Sequence, residues 1–326
     1  MPRIFQLRRV VAAGVALTAG LTAIPAGAGT AAADPLNGND RNGIYLALGD
    51  SVAFGYRPLA ATPTPNYYHP RSFVSYANYV AADLGERVDN ASCPGETAGS
   101  MLNVTAISNG CENTLGAPGG YRTQYPLHVH YSGSQMAYAV KYLSEHLNRT
   151  SLVSIDIGAN DGFVCQETGA CSSAAGLDAA LAQITTNVHD ILAQIRATGY
   201  KGPLVLLNYY STAPYKDPSQ AGAVYLTQLL NQALDAGTAG DNVIIADGFS
   251  AFAEAASATP TDDPCAAGLL IKVPGGCNIH PSQQGHQVLA AAIETALANA
   301  GYAKPAGHDD RATTPDSRRP PKRAVR

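Results

Sequence analysis

Short apolar runs and longer stretches with helical spacing alternate along the middle of the chain. The runs are rich in branched side chains, which is typical of buried strands. We expect strands at residues 44–48, 87–91, 151–157, 204–208 and 243–246. Apolar residues at intervals of three and four predict helices at 71–84, 134–147, 177–198, 218–236, and from 281 or 282 to 298. The alternation predicts an α/β fold with a mostly parallel, five-stranded sheet covered on both faces.

The segment from residue 93 to residue 132 lacks this periodicity. It is rich in glycine, proline, asparagine and tyrosine. Loops of this length within a domain are usually functional or disordered. We therefore expect this segment to be an irregular excursion that the core does not require.

The beginning of the chain reads as a targeting segment rather than as part of the fold. Three arginines precede an apolar stretch from Val10 to Ile24, and small residues follow up to Ala33. This is the layout of a secretory signal peptide over residues 1–33, so we expect export and cleavage after Ala33. The apolar stretch is too short for a membrane span, and we expect no stable membrane insertion.

The other end of the chain is basic and nearly free of apolar residues. Residues 307–326 carry six basic and three acidic side chains, and we expect a disordered basic tail there. One domain of residues 34–306 remains, with 12 basic and 22 acidic side chains. A net negative body argues against nucleic acid as the partner.

Four short motifs lie next to the predicted strands and the last helix. Gly-Asp-Ser at 49–51 ends the first strand, and Asn-Ala-Ser-Cys-Pro-Gly at 90–95 follows the second. Gly-Ala-Asn-Asp at 158–161 follows the third strand, and His-Pro at 280–281 precedes the last helix. In order and spacing these motifs resemble the four blocks of the SGNH (GDSL-type) hydrolases, in their secreted bacterial esterase and lipase branch. The resemblance covers about residues 44–300.

The resemblance implies a flavodoxin-like three-layer α/β/α sandwich that carries a serine hydrolase centre. Ser51 aligns with the family's nucleophile and His280 with its general base. The family's oxyanion hole corresponds to the backbone N–H groups of Ser51 and Gly95 and the side-chain amide of Asn160. We interpret His286, which lies on the last helix, as structural. Neither a cofactor nor a metal is implied.

One position departs from the family pattern. The family places an aspartate three residues before the catalytic histidine to orient its ring, and here that residue is Cys277. Either a backbone carbonyl within residues 273–277 orients His280, which gives a Ser-His dyad, or Asp262 or Asp263 reaches the ring. We favour the carbonyl.

Six cysteines in an exported chain indicate disulfides rather than metal ligands, and no Cys-x2-Cys spacing is present. Six cysteines allow fifteen pairings. Because their positions fall into neighbours, we predict the sequential pairing Cys93–Cys111, Cys165–Cys171 and Cys265–Cys277. Each bond would close one loop beside a motif.

The motifs together predict a secreted, monomeric serine esterase or lipase that hydrolyses esters of small molecules or lipids. The aromatic loops at 54–79 and 121–138 are candidates to line an acyl groove beside the serine. A carbohydrate O-deacetylase, with a short polar pocket, is a second hypothesis. An inactive surface-binding module of the same fold is a third. The presence of Ser51, Gly95, Asn160 and His280 argues against the binding module, which has no need of all four.

Overall fold

The structure is a computed structural model, and it describes residues 43–302. The predicted signal peptide (1–33) and basic tail (307–326) lie outside the described residues. Within residues 43–302, every helix is too short or too polar to cross a membrane.

Five of the strands form one parallel sheet. The strands are β1 (Ile44–Gly49), β2 (Arg87–Asn90), β3 (Asn113–Thr114), β4 (Ala117–Pro118), β5 (Thr150–Asp156), β6 (Leu204–Leu207), β7 (Ile244–Ala246), β8 (Leu270–Val273) and β9 (Gly276–Pro281). The sheet order is β2-β1-β5-β6-β7, with parallel pairing throughout. Counted along the sheet's own strands this order is 2-1-3-4-5, the doubly wound order of flavodoxin-like folds. The predicted fold class is confirmed.

Helices cover both faces of this sheet. The helices are α1 (Ser51–Phe54), α2 (Tyr76–Leu84), α3 (Ala98–Leu102), α4 (Tyr121–Gln124), α5 (Gln135–His146), α6 (Ala159–Glu167), α7 (Ala174–Ala197), α8 (Ala221–Gly237), α9 (Gly248–Ala256) and α10 (Gln283–Asn299). On one face α10 packs against α2 and α9, and on the other α7 packs against α5 and α8. The direction of winding reverses between β1 and β5, and such a reversal opens a crevice at the carboxyl ends of the strands.

The sequence explains why the sheet is buried on both faces. β1 is buried along its whole length, and β6 consists of four buried aliphatic residues. Near-continuous apolar runs suit a parallel sheet that has helices on both sides. The longest helix, α7, buries Ile184, Val188, Ile191 and Ile195 at helical spacing against this core.

Helix starts follow the local capping signals more closely than the apolar period. The helix predicted from residue 71 begins at Tyr76, because Ser75 and Asn78 form a capping box there. The last helix begins at Gln283, with Ser282 accepting a hydrogen bond from Gly285 as its N-cap. These two helices therefore begin one to five residues after their predicted starts, whereas α7, capped by Ser173, begins at Ala174, three residues before its predicted start.

Several elements around the motifs were not predicted. α6 and α9 follow the third and fifth strands of the sheet, and α3, α4 and the β3–β4 ladder lie within residues 93–132. β8 and β9 form an antiparallel hairpin outside the main sheet. His280 belongs to β9, and the N-cap of the last helix is Ser282. The neighbours of His280 in the hairpin therefore determine how its ring is oriented.

Candidate active site

Ser51 lies two residues after the end of β1, on the first turn of α1. The side chain of Asp50 caps this turn by accepting a hydrogen bond from the N–H of Val52 at 2.9 Å. Gly49 has a φ of +136°, and a Cβ there would lie 2.3 Å from the carbonyl oxygen of Asp156. Only glycine fits this close approach of β1 and β5, so the Gly-Asp-Ser sequence places Ser51 at the carboxyl edge of the sheet.

His280 reaches Ser51 from the hairpin. The Nε2 atom of His280 lies 2.9 Å from the hydroxyl oxygen of Ser51. The imidazole ring is buried, and its centroid lies 4.8 Å from that of Tyr56. The sheet and the hairpin thus supply one reactive side chain each.

The two predicted ways of orienting His280 are both wrong. The side-chain oxygen of Asn278 accepts hydrogen bonds from the backbone N–H of His280 at 3.1 Å and from its ring Nδ1–H at 2.5 Å. Asp262 instead pairs with Lys216 at 2.9 Å, and Asp263 accepts from the N–H of Cys265 at 2.8 Å. Side chains two residues apart in a strand share a face, so β9 presents Asn278 and His280 on the same side.

This contact determines which ring nitrogen of His280 is free. Asn278 offers an acceptor, so the proton lies on Nδ1 and the lone pair of Nε2 faces the Ser51 hydroxyl. Burial lowers the pKa of His280 to about 4. The imidazole is therefore neutral at neutral pH, as a general base must be.

The three predicted oxyanion donors line the cavity beside Ser51. Ser51 is the first residue of α1, where backbone N–H groups have no partner inside the helix. Among residues 43–302, the N–H of Gly95 has no hydrogen-bond acceptor. The NH₂ of Asn160 donates to the carboxyl group of Asp50 at 3.1 Å, and its oxygen accepts from Asn109 at 3.0 Å. Asn160 is thus held at both ends of its amide.

Gly95 is glycine for a steric reason. Its φ is +85°, and a Cβ would lie 2.4 Å from the carbonyl oxygen of Asn109. The backbone of Asn109 is in turn tied to Gly95 by a hydrogen bond of 2.8 Å. The Pro94-Gly95 turn and the segment around Asn109 are therefore one rigid unit at the mouth of the cavity.

Two carboxyl groups lie under Ser51. Asp50 and Asp156 are both buried, at 1% exposure each. Asp50 accepts from the hydroxyl of Tyr209 at 2.6 Å, and Asp156 accepts from that of Tyr76 at 2.7 Å. Burial raises the pKa of Asp50, and burial followed by the charge of Asp50 raises the pKa of Asp156 well above its usual range. Burial and the neighbouring Asp50 thus disfavour the charged form of Asp156.

Gln135, at the start of α5, is a site residue that sequence reasoning missed. Its side-chain oxygen accepts from the N–H of Gly49 at 2.6 Å, and its NH₂ donates to the carbonyl oxygen of Gly49 at 3.0 Å. The same NH₂ donates to Glu96 at 3.1 Å. Gln135 thus fixes the backbone two residues before Ser51 and links it to the residue after Gly95.

A cavity of about 900 Å³ contains Ser51, Gly95, Asn160 and His280 in its wall. The structure thus brings the four predicted residues together. Much of the remaining wall is apolar and comes from α6, α7 and α8, through Phe163, Leu177, Leu181, Ile184, Leu226 and Leu230.

The aromatic loops contribute less to this cavity than predicted. Phe54, Phe73 and Tyr121 form a second, smaller core, with Tyr56 and Tyr67 packed against it. Within this group, Tyr56 and Tyr121 line the cavity. One residue of each predicted loop therefore lines the cavity, Tyr56 and Tyr121, whereas Phe54 and Phe73 pack in the smaller core instead.

The cysteines are joined as Cys93–Cys111, Cys165–Cys171 and Cys265–Cys277, the sequential pairing. Cys265–Cys277 ties the hairpin strand that carries His280 to the preceding loop. Cys93, Glu96 and Cys111 lie close enough together to suggest a metal site within residues 43–302. Both sulfurs are bonded to each other, however, so neither is the thiolate that a metal would need.

Comparison with known proteins places this site in a family context. A family model described as GDSL-like lipase/acylhydrolase matches residues 47–288. An acetylxylan esterase from Geobacillus stearothermophilus is 17% identical, with a TM-score of 0.46 over 79% of this chain and 95% of that one. A lipase from a goat rumen metagenome is 16% identical, with a TM-score of 0.48 over 78% and 97%. No curated protein matches the chain.

Proposed function

The chain belongs to the GDSL-like lipase/acylhydrolase family, and we propose that it hydrolyses carboxylic esters, with Ser51 as nucleophile and His280 as general base. The observation that carries this proposal is the 2.9 Å contact between His280 Nε2 and the Ser51 hydroxyl, with the other ring nitrogen held by Asn278. A nucleophile, its base and an orienting group are thus aligned in one line of hydrogen bonds.

The first half-reaction forms an acyl-enzyme. The Ser51 oxygen attacks the ester carbonyl carbon while His280 Nε2 takes the hydroxyl proton, and the carbonyl electron pair moves onto its oxygen. When this tetrahedral intermediate collapses, the bond to the alcohol oxygen breaks and His280 returns the proton to the leaving alcohol. The acyl group remains on Ser51.

Water completes the cycle. The oxygen of a water molecule attacks the acyl carbon while His280 takes a proton from that water, and a second tetrahedral intermediate forms. Its collapse breaks the bond to the Ser51 oxygen, which recovers the proton from His280. The carboxylic acid leaves, and the centre returns to its starting state.

The oxyanion of each intermediate is the charge that the site must stabilise. The N–H groups of Ser51 and Gly95 and the NH₂ of Asn160 are the donors we assign to it. Such donors act by being fixed before the charge develops. The rigid turn at Gly95 and the two hydrogen bonds to the amide of Asn160 supply that fixation.

Hydrolysis of p-nitrophenyl acetate by purified protein tests the proposal. We expect Ser51→Ala to lower kcat by about 10⁴ or more, as removal of a catalytic nucleophile does. Ser144→Ala, on the exposed side of α5, is the matched control and keeps full activity. Activity that survives Ser51→Ala would refute the assignment. A folded wild type without esterase activity would favour the inactive binding module.

We also propose that the protein is secreted. The layout of residues 1–33 supports this, and three disulfides in the described part suit an oxidising compartment. Amino-terminal sequencing of protein recovered from the culture medium should begin at Asp34. Recovery only from the cytoplasm, with Met1 intact, would contradict export.

A further inference from the structure

The apolar wall of the cavity is a groove between α6, α7 and α8. We call it the aliphatic groove, because five of its six defining residues are aliphatic. These are Leu177, Leu181, Ile184, Leu226 and Leu230, and the sixth is Phe163. The three α7 residues are spaced by four and three, and the two α8 residues by four, so each helix contributes a single face. The groove is continuous with the space beside Ser51, since all of these residues line one cavity.

α7 is longer than the sheet strands that it packs on. α7 has 24 residues and is about 36 Å long, whereas the central strand β5 has seven residues and spans about 23 Å. Leu177 and Leu181, in the first turns of α7, line the same cavity as Ser51, so these turns lie at the carboxyl edge of the sheet. Leu177 and Leu181 continue the buried stripe of α7 but are only partly buried.

The groove has an open end and a closed end. Leu226 is 43% exposed at the open end, whereas Ile184 is 2% exposed. At the closed end a Cβ on Gly158 would lie 3.0 Å from Leu234 and 3.4 Å from Ile184. The floor of the groove thus packs on the backbone two residues before Asn160, the assigned oxyanion donor.

The chemistry of this surface selects one kind of substrate group. Sugar hydroxyls placed against it would lose their hydrogen bonds to water without replacement, whereas an alkyl chain would lose none. From Leu177 to Ile184 the groove follows α7 for about 10 Å, roughly the length of an extended chain of eight carbons. A short polar pocket, which a carbohydrate deacetylase needs, does not fit these residues.

We propose that the aliphatic groove binds the acyl chain of the substrate, and that the preferred substrates are esters of acids with about eight or more carbons. This inference rests on the proposed function, because it takes Ser51 as the point where the ester carbonyl lies. Each methylene buried in the groove is then worth about a fourfold gain in kcat/KM.

Two neighbouring alanines of α7 provide a matched test. Ala180 lines the cavity, whereas Ala179 is exposed and lies outside it. Ala180→Trp places an indole in the groove, and Ala179→Trp places the same indole in solvent. Initial rates with p-nitrophenyl esters from acetate to decanoate give the ratio of kcat/KM for decanoate to that for acetate. Leu226→Glu, at an exposed position of α8, is a second groove variant that does not depend on accommodating a large ring.

We expect the wild-type kcat/KM to rise from acetate to octanoate. Ala180→Trp and Leu226→Glu should each lower the decanoate-to-acetate ratio at least tenfold, and Ala179→Trp should leave it unchanged. A wild type that prefers acetate would overturn the proposal. So would equal changes in the ratio for the two tryptophan variants.

Calorimetric binding separates this inference from the proposed function. Ser51→Ala should bind decanoate but not acetate, and a second change, Ala180→Trp, should abolish that binding. If the wild type hydrolyses no ester but decanoate binds in this pattern, the proposed function fails and the groove stands. If Ser51-dependent hydrolysis is present but decanoate does not bind, the groove assignment fails.

Discussion

Ser51 and His280, the nucleophile side and the base side of the candidate centre, lie on different structural elements and have different hydrogen-bond partners. Ser51 sits on the edge of a buried sheet, above the carboxyl groups of Asp50 and Asp156. His280 sits on a hairpin outside that sheet, and the hydrogen-bond partner of its Nδ1 is the neutral amide of Asn278. Among the described residues, the carboxyl groups of the centre therefore lie beneath the serine rather than beside the histidine.

On the nucleophile side, the buried carboxyl group of Asp50 orients a neighbouring side chain. Two full negative charges under a developing oxyanion would oppose catalysis, and burial together with the charge of Asp50 raises the pKa of Asp156, which disfavours that doubly charged state. Asp50 accepts from Tyr209 and from Asn160. Its role is thus to point the amide of Asn160, a positioning role rather than a catalytic one.

On the base side, orientation is separated from charge stabilisation. In Ser-His-Asp triads one aspartate both fixes the tautomer and stabilises the imidazolium. The Asn278 oxygen can fix the tautomer, but it carries no charge to stabilise a protonated ring. Burial is then the dominant influence on His280 and holds its pKa at about 4.

Among changes that leave Ser51 and His280 in place, the largest expected effect is on the nucleophile side, in Asn160→Ala. This change removes an oxyanion donor, so we expect kcat to fall by about 10²–10³ with little change in KM. Steady-state kinetics on p-nitrophenyl esters measure it. Asn103→Ala, at an exposed position outside the cavity, is the control and should match the wild type. A loss of less than tenfold in Asn160→Ala would remove it from the oxyanion hole.

On the base side, Asn278→Ala should lower kcat by roughly a hundredfold, because the ring of His280 loses the acceptor that fixes its tautomer and direction. Asp262→Asn is the variant to compare with Asn278→Ala, because Asp262 was one of the residues predicted to orient His280. Asp262 pairs with Lys216 instead, and its φ of +50° is one that asparagine also tolerates. We expect Asp262→Asn to leave kcat unchanged. The reverse ranking of the two variants would restore a distant acid as the orienting group.

The fold was predictable because its signals are local. Continuous apolar runs mark the strands, and four- and three-residue spacing marks α7. The motifs adjoin the strand ends, so the parallel topology alone brings them to one edge of the sheet. The neighbouring cysteine pairs likewise close short loops, which a linear reading can anticipate.

The groups that orient the site residues, Gln135 and Asn278, were harder to predict, because each acts through a tertiary contact that has no local sequence signal. Gln135 meets Gly49 across 86 residues, through packing of α5 on the sheet. Asn278 depends on an unpredicted hairpin, in which strand alternation sets it beside His280. The Pro-Gly-Gly sequence at 274–276 was the available signal, because it marks a turn between two short extended runs.

The smallest expected effect is a change of pH profile, and it bears most directly on the comparison of the two sides. His280 must be neutral to act as base, so activity falls as pH drops through its pKa. With a pKa of about 4, wild-type kcat/KM should stay level from pH 8 to about pH 5. Asn278→Asp adds a carboxylate at Nδ1, which favours the imidazolium and raises the pKa of His280. The acid limb should therefore move up by one to two pH units, as a neighbouring opposite charge produces.

The two profiles should cross. At pH 8 the variant should equal or exceed the wild type, because an aspartate there also stabilises the imidazolium that forms during attack. At pH 5 it should be slower, because its base is already protonated. Asn103→Asp adds the same charge at an exposed position and should leave the acid limb in place. Superimposable profiles for Asn278→Asp and the wild type would mean that Asn278 does not contact the histidine that acts as base, and the contrast between the two sides would fail.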